Sequence, residues 1–244
     1  MSLRGTYSWP KELPELTKEQ KEISDDFMRY WHERLGSTWS FQAIESFNHG
    51  YPIRTAPKTF VRTLEIGAGL GEHVRHEKLT AEQRQNYFAL ELRENMVAEM
   101  RRRVPDIQAL CGDCQGRLDF PDDFFDRIVA IHVLEHLPNL PEAAKELHRV
   151  CNKQRGVFSV VIPCEGGLLY SFARLVSSRR MFELRYKQSY NWFIEREHLS
   201  IPAEIVSALA PYFEAAGSEY FPFKIPTNAI NLCIGLKLKP KNLP

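Results

Sequence analysis

The stretch Leu64-Glu65-Ile66-Gly67-Ala68-Gly69-Leu70-Gly71 constrains this chain more than any other. An apolar run containing Phe60, Val61, Leu64 and Ile66 stops abruptly at three glycines on alternate positions, and a helix-compatible segment follows. That succession predicts a buried strand, a tight turn and the N-terminus of a helix. Glycine is needed where the backbone must approach a ligand without a Cβ, or where φ turns positive. Glu65, two residues before the first glycine, falls at the strand's carboxyl end, towards the same ligand. The spacing Gly67-x-Gly69-x-Gly71 is not the G-x-G-x-x-G of dinucleotide-binding turns, whose third glycine serves helix packing beside a pyrophosphate. A carboxylate at the mouth, with no Lys or Ser/Thr after the glycines, suits a cationic or neutral ligand better than a polyphosphate.

Further along, short apolar runs at residues 87–90, 107–111, 124–133 and 157–163 alternate with helical patterns at 95–104 and 141–151. Near-continuous apolar strands separated by helices predict a parallel sheet covered on both faces. Ligands of such sheets sit outside the strands' carboxyl ends, where strand order reverses. Glu65, Glu91, Asp113 and His132 all fall at such ends. Ahead of the glycine turn, residues 1–17 read as an extended arm. From Lys18 a stripe of Ile23, Phe27, Tyr30, Trp31 and Leu35 reads as a helix closed by Gly36. Ser37 is placed to cap a second helix over 38–47, which Asn48-His49-Gly50-Tyr51-Pro52 should end. Near the other end, residues 202–216 read as an amphipathic helix opened by Pro202 and closed by Gly217. The runs 219–223 and 231–238 then predict an antiparallel hairpin appended to the sheet.

The 244 residues suit one α/β domain with elaborations. A net charge of +1 argues against a dedicated nucleic-acid binder. No apolar run approaches the ~20 residues that span a bilayer, and no signal-peptide core precedes the first helix. Five cysteines without a regular framework suit a reducing compartment, so a soluble, cytoplasmic protein is expected. Cys111-Gly112-Asp113-Cys114 is a C-x-x-C with no second pair at zinc-site spacing, and no metal is expected.

With these residues in hand, the chain resembles a class I S-adenosylmethionine-dependent methyltransferase, in detail over about residues 60–163. Leu64 to Gly71 is similar to the family's first motif, hydrophobic-Asp/Glu-x-Gly-x-Gly-x-Gly. Glu91 sits where the family's second-strand acid binds the ribose hydroxyls, and Asp113 where it meets the adenine amino group, with the Cys114 backbone nearby. Residues 126–137, Asp-Arg-Ile-Val-Ala-Ile-His-Val-Leu-Glu-His-Leu, resemble the fourth-strand motif of the branch that includes quinone, sugar and other small-molecule methyltransferases. The resemblance implies an α/β, Rossmann-like seven-stranded sheet, mostly parallel with an antiparallel last strand, helices on both faces and a helical cap. It implies residues 1–59 as an N-terminal helical arm or cap, and 60–244 as the methyltransferase domain with an insertion at about 166–200. Glu65, Gly67, Ala68, Gly69, Gly71, Glu91, Leu92, Asp113, Cys114 and His132 would hold S-adenosylmethionine. Carboxylates suit these places chemically, because ribose hydroxyls and an exocyclic amine are donors.

Methyl transfer needs in-line approach of a nucleophile, and a base where that nucleophile is a hydroxyl. His136 and His132 are the candidate bases, with His73 behind them, because imidazole titrates near neutral pH. Either of the first two could instead only orient the loop or line the cofactor, and Glu135 reads as a solvated or helix-capping charge. Residues 166–194 hold five basic residues against one acid, Glu183, and seven aromatics. This insertion is read as a substrate cap, as an amphipathic helix that packs on the domain, or as a weak peripheral membrane contact. The expected reaction is methylation of an oxygen, less readily a nitrogen, on a small-molecule or lipid-linked acceptor. A sugar or glycan is the first choice and a polyprenyl-quinone or other lipid the second. A nicotinamide-dependent oxidoreductase and a non-catalytic cofactor-binding protein are the alternatives from other classes.

Overall fold

The computed structural model describes residues 7–34 and 39–243. Seven strands form one sheet: β1 (Thr63–Ile66), β2 (Tyr87–Glu91), β3 (Gln108–Cys111), β4 (Arg127–Ile131), β5 (Val157–Pro163), β6 (Phe213–Phe221) and β7 (Cys233–Pro240). Their order is β3-β2-β1-β4-β5-β7-β6. β7 alone runs antiparallel to its neighbours, wedged between β5 and β6, as expected for the closing hairpin. Leu64 pairs with Phe88 on one side and Ile128 on the other, so β1 and β4 flank the point where strand order reverses. Loops leaving these two strands diverge and open a crevice at their carboxyl ends.

Alternation along each strand sends side chains to opposite faces. Leu64, Ile66, Ile128, Val160 and Ile162 pack with Leu147 of α5 (Leu140–Val150) and Ile205 of α9 (Pro202–Leu209). Elsewhere Tyr87 and Ala89 pack with Val97 and Met100 of α4 (Glu94–Arg103). Val161 and Cys233 are covered by Phe47 and Tyr51 of α2 (Trp39–Thr55). A charged pair is buried here too: Arg127 Nη2 lies 2.6 Å from Glu77 Oε1. Burial works against the Glu77 charge, but His73 and Arg127 outweigh it and hold its carboxyl down to about 2.

Three local expectations are overturned. The glycine turn leads into a single 3₁₀ turn, His73–His76, and not an α-helix; the first α-helix after it is α3 (Ala81–Gln85), started by a Thr80–Gln83 capping box. α2 does not stop at Asn48 but continues through Gly50 and Pro52 to Thr55. Proline inside a helix costs about 3 kcal/mol, and burial of the Phe47 and Tyr51 rings offsets it. Tyr51 lies directly on β7, where a Cβ on Gly235 would come within 2.6 Å of its ring. The helix starting at Pro202 ends at Leu209, and β6 begins at Phe213. Pro211 supplies the reason, since it lacks the N–H that the next helical bond needs.

The insertion folds as α6 (Leu168–Arg174), a π-helical turn at Leu175–Arg179, α7 (Arg180–Tyr186) and α8 (Asn191–Glu197). α1 (Lys18–Arg34) docks on it through Phe27, whose ring meets Phe182 edge-on at 5.0 Å and Phe193 at 5.2 Å. Tyr186 and Arg185 both bond Asp26 Oδ2, at 2.6 and 2.9 Å. The predicted ends at Leu35, Gly36 and Ser37, and the side chains of Trp31 and Trp39, lie outside the described residues.

Candidate functional site

Two adjoining cavities occupy the crevice. The larger, about 740 Å³, is lined by the ends of β1, β2 and β4 and the turns after them. Gly67 and Gly69 sit there at φ +62° and +59°. Their turn is pinned to β2, with Ala68 N donating to the Leu90 carbonyl at 3.1 Å and Gly69 N to Glu91 Oε2 at 3.2 Å. A Cβ on Gly67 would come within 2.3 Å of Val133, so only glycine fits. Gly71, at φ +81°, is placed differently from expectation. It is not among the cavity's lining residues, and a Cβ on it would meet Val104 and Met100 at 3.1 and 3.2 Å. The third glycine thus serves helix packing.

Glu91 is buried at the end of β2, its Oε1 accepting from Arg93 N at 3.2 Å. Leu92 beside it is exposed and lines the cavity. Asp113 takes Gln115 N on Oδ1 at 2.9 Å, which fixes its carboxylate at the rim. Cys114 forms part of the wall with its thiol pushed up to about 12 by burial, so it is no nucleophile near neutral pH. Glu65 is buried and accepts from Tyr87 Oη at 2.7 Å. Burial outweighs that bond and raises its carboxyl to about 8. His73, the third candidate base, is buried with Nε2 3.0 Å from Glu77 Oε1, and burial takes its imidazole down to about 4.

The smaller cavity, about 350 Å³, adjoins the first and shares His132, His136, Glu197 and Glu45 with it. His136 Nδ1 bonds the backbone carbonyl of Glu197. A carbonyl can only accept, so Nδ1 carries the proton and Nε2 keeps its lone pair. Burial, helped by His198, lowers the His136 pKa against the pull of Glu135, which keeps this imidazole neutral near pH 7. His132 is the reverse case. Desolvation opposes its charge, but the Cys233 sulfur at 3.9 Å and the Glu135 carboxylate at 3.4 Å raise its pKa. It also adopts φ +52°, a strained conformation for a side chain of this size.

Glu135 corrects the expectation of a solvated charge. It is 1% exposed, and neither carboxylate oxygen has a hydrogen-bond partner among the described residues. Its Oε1 lies between His132 Nδ1 at 3.4 Å and His136 Nε2 at 3.9 Å. Desolvation opposes its ionisation, yet the two histidines hold its pKa down to about 2. Its backbone carbonyl takes Leu199 N and Ser200 N, tying the turn after β4 to the end of the insertion. Glu197 and His198 were missed by sequence reasoning; no spacing signal links them to residues more than sixty positions earlier. The insertion's arginines are also less available than their count suggested. Arg174 pairs with Glu165 at 2.6 Å, Arg179 with Glu183 at 2.9 Å and Arg185 with Asp26.

Residues 64–160 match the family described as methyltransferase domain. Over 102 residues the chain is 32% identical to a malonyl-[acyl-carrier protein] O-methyltransferase of Halorhodospira halophila, a match spanning 41% of this chain and about a third of that protein, 33%. Among solved structures, a TehB-like SAM-dependent methyltransferase of Corynebacterium glutamicum aligns over 91% of this chain and 100% of its own, with TM-score 0.60 and 13% identity. A SAM-dependent methyltransferase of Thermotoga maritima, described as a possible histamine N-methyltransferase, aligns over 90% and 99%, with TM-score 0.61 and 16% identity. At these identities the likeness shows the fold, which is the Rossmann-like fold of SAM-dependent methyltransferases.

Proposed function

We propose that this chain is an S-adenosylmethionine-dependent methyltransferase whose acceptor enters the smaller cavity and is activated by His136. The cofactor's chemistry suits the larger cavity on three counts. Among the described residues Oε2 of Glu91 takes only the Gly69 amide, and the long 3.4 Å contact of Arg93 Nε with Oε1 sits on a half-exposed side chain that can give way to a ribose hydroxyl. Asp113 offers an acceptor at the rim for an amino group. Glu72, Glu91 and Asp113 give the lining the negative character a sulfonium calls for, while Glu65, its carboxyl raised to about 8 by burial, stays neutral near pH 7. When bound, S-adenosylmethionine supplies an electrophilic methyl group. The residues expected to hold it are Glu65, Gly67, Ala68, Gly69, Glu91, Leu92, Asp113 and Cys114.

The observation that carries the catalytic reading is the neutral His136 Nε2 on the wall common to both cavities. It can take a proton from an acceptor hydroxyl, and Glu135 Oε1 3.9 Å away then stabilises the imidazolium that forms. His132, already held protonated by the same carboxylate, is the orienting partner and a poor base.

The acceptor's class follows from the lining. Tyr170, Tyr190, Phe193, Ile44 and Leu232 give the smaller cavity an apolar body, and its carboxylates outnumber its one arginine, which Glu165 neutralises. That favours a neutral acceptor with an apolar body bearing a hydroxyl, and so the lipid or quinone-like choice over a phosphorylated glycan. A carboxylate acceptor, such as the malonyl group of the Halorhodospira relative's substrate, would meet like charge. The test is transfer of labelled methyl to a panel of hydroxylated lipids, quinols and sugars, with S-adenosylhomocysteine and NAD(H) titrations alongside. His136→Ala should lose about 10²–10⁴ in turnover while keeping S-adenosylhomocysteine affinity. Retained turnover would remove His136 from the role of base, and NAD(H) binding without S-adenosylhomocysteine binding would sink the whole reading.

A further inference from the structure

The insertion helix has two unlike sides. Tyr170, Ala173, Arg174 and Ser177 line the smaller cavity. On the opposite side Leu168, Phe172, Leu175 and Val176 are each more than half exposed. A π-turn at Leu175–Arg179 holds more residues per turn than an α-helix, setting the phase back by about one residue. Arg180, Leu184 and Lys187, all exposed, therefore continue the same line. The loop after β6 extends the surface sideways, with Phe223 and Ile225 more than half exposed and Lys224 between them. That loop is fastened to the start of α6 by the bond from Leu169 N to the Ala229 carbonyl at 2.9 Å. No ion pair among the described residues engages Arg180, Lys187 or Lys224.

We infer that this face docks on an anionic lipid surface. Exposed aliphatic and aromatic side chains flanked by unpaired cations suit the boundary between acyl chains and negative headgroups. The only acid of α6, the π-turn and α7 is Glu183, and it is bound by Arg179 at 2.9 Å. No helix among the described residues is long and apolar enough to cross a membrane, so the contact is interfacial. A docked surface would lie one helix diameter from the smaller cavity. The inference goes beyond the proposed methyl transfer and does not depend on it.

The experiment is co-sedimentation of the full chain with vesicles of phosphatidylcholine alone and of phosphatidylcholine mixed with phosphatidylglycerol. Binding is expected to the mixed vesicles, to weaken with added salt, and to be largely absent with phosphatidylcholine alone. Arg180→Glu with Lys224→Glu should weaken binding by at least about tenfold, and Phe172→Asp with Leu175→Asp should abolish it. S-adenosylhomocysteine binding or, should that be absent, an unchanged unfolding transition reports that the variants are folded. Equal binding to both vesicle types, no binding to either, or wild-type affinity in both variants would overturn the inference. So would a wild-type dimer in sedimentation velocity that Phe172→Asp with Leu175→Asp dissociates, because a second copy would then be the occupant.

Discussion

Away from the wall it shares with its neighbour, the larger cavity is built from the glycine turn and from carboxylates at the ends of neighbouring parallel strands. The smaller cavity is walled by side chains from α1, α2, the turn after β4, the insertion after β5 and the start of β7. The first is pre-shaped by the sheet, since strand pairing fixes where Gly69 and Glu91 meet. The second exists only because separate helices are held against one another, chiefly by Phe27 among Phe182, Tyr190 and Phe193. A rigid ligand common to many enzymes and a variable one make different demands, and the two constructions answer them separately.

If the halves are separable, substitutions should report on one and spare the other. Gly67→Val places carbon where Val133 already stands, at a φ of +62° that valine avoids. Strain and overpacking together should weaken S-adenosylhomocysteine binding by about two orders of magnitude or more, which calorimetry reads directly. Phe27→Ala removes the ring that joins α1 to the insertion, at a cost of about 3–5 kcal/mol to that packing. Amide exchange should rise in α7 and α8 with S-adenosylhomocysteine affinity unchanged; an equal fall in affinity would break the comparison. Glu91→Ala deletes a charged acceptor and should weaken the same binding by about ten- to a hundredfold, leaving exchange in the cap as it was.

A further effect, read in stability and not in binding, concerns Glu65. Its carboxyl, near 4.5 when exposed, is raised to about 8 in the folded chain. The folded state therefore holds a proton that the unfolded state releases, and stability falls as pH rises from about 4.5 to 8. Glu65→Gln removes that dependence. Across this interval the variant's Tm should gain on the order of 10 °C on the wild type, and parallel Tm curves would show that Glu65 carries no such penalty.

What was legible in the sequence follows the same division. Glu65, the glycines, Glu91 and Asp113 could be placed because each ends an apolar run, and pairing of parallel strands converts sequence position into spatial position. α2 was misjudged at Gly50 and Pro52, where tertiary burial of Phe47 and Tyr51 overrides local propensity. The helical pattern over 202–216 outruns the helix because Pro211 interrupts the backbone bonding without disturbing the apolar periodicity. Glu135 read as solvated because nothing in its neighbourhood announces that Leu199 and Ser200 close over it. The insertion's arginines were counted as free charges, while their partners Glu165 and Asp26 lie on other elements. Contacts between distant segments leave no periodicity to read.

The bond between Tyr186 and Asp26 joins positions 160 residues apart. On a ribosome, α1 emerges early and has no surface to rest on until the first five strands have been made and the insertion has followed β5. Loop closure over that distance is an entropic cost that only a nearly complete chain can recover. The strand-end cradle can thus assemble as soon as β4 pairs with β1, well before the chamber beside it acquires its outer wall. A nascent chain would hold the donor's place ready first and become able to choose an acceptor only at the last stage of folding.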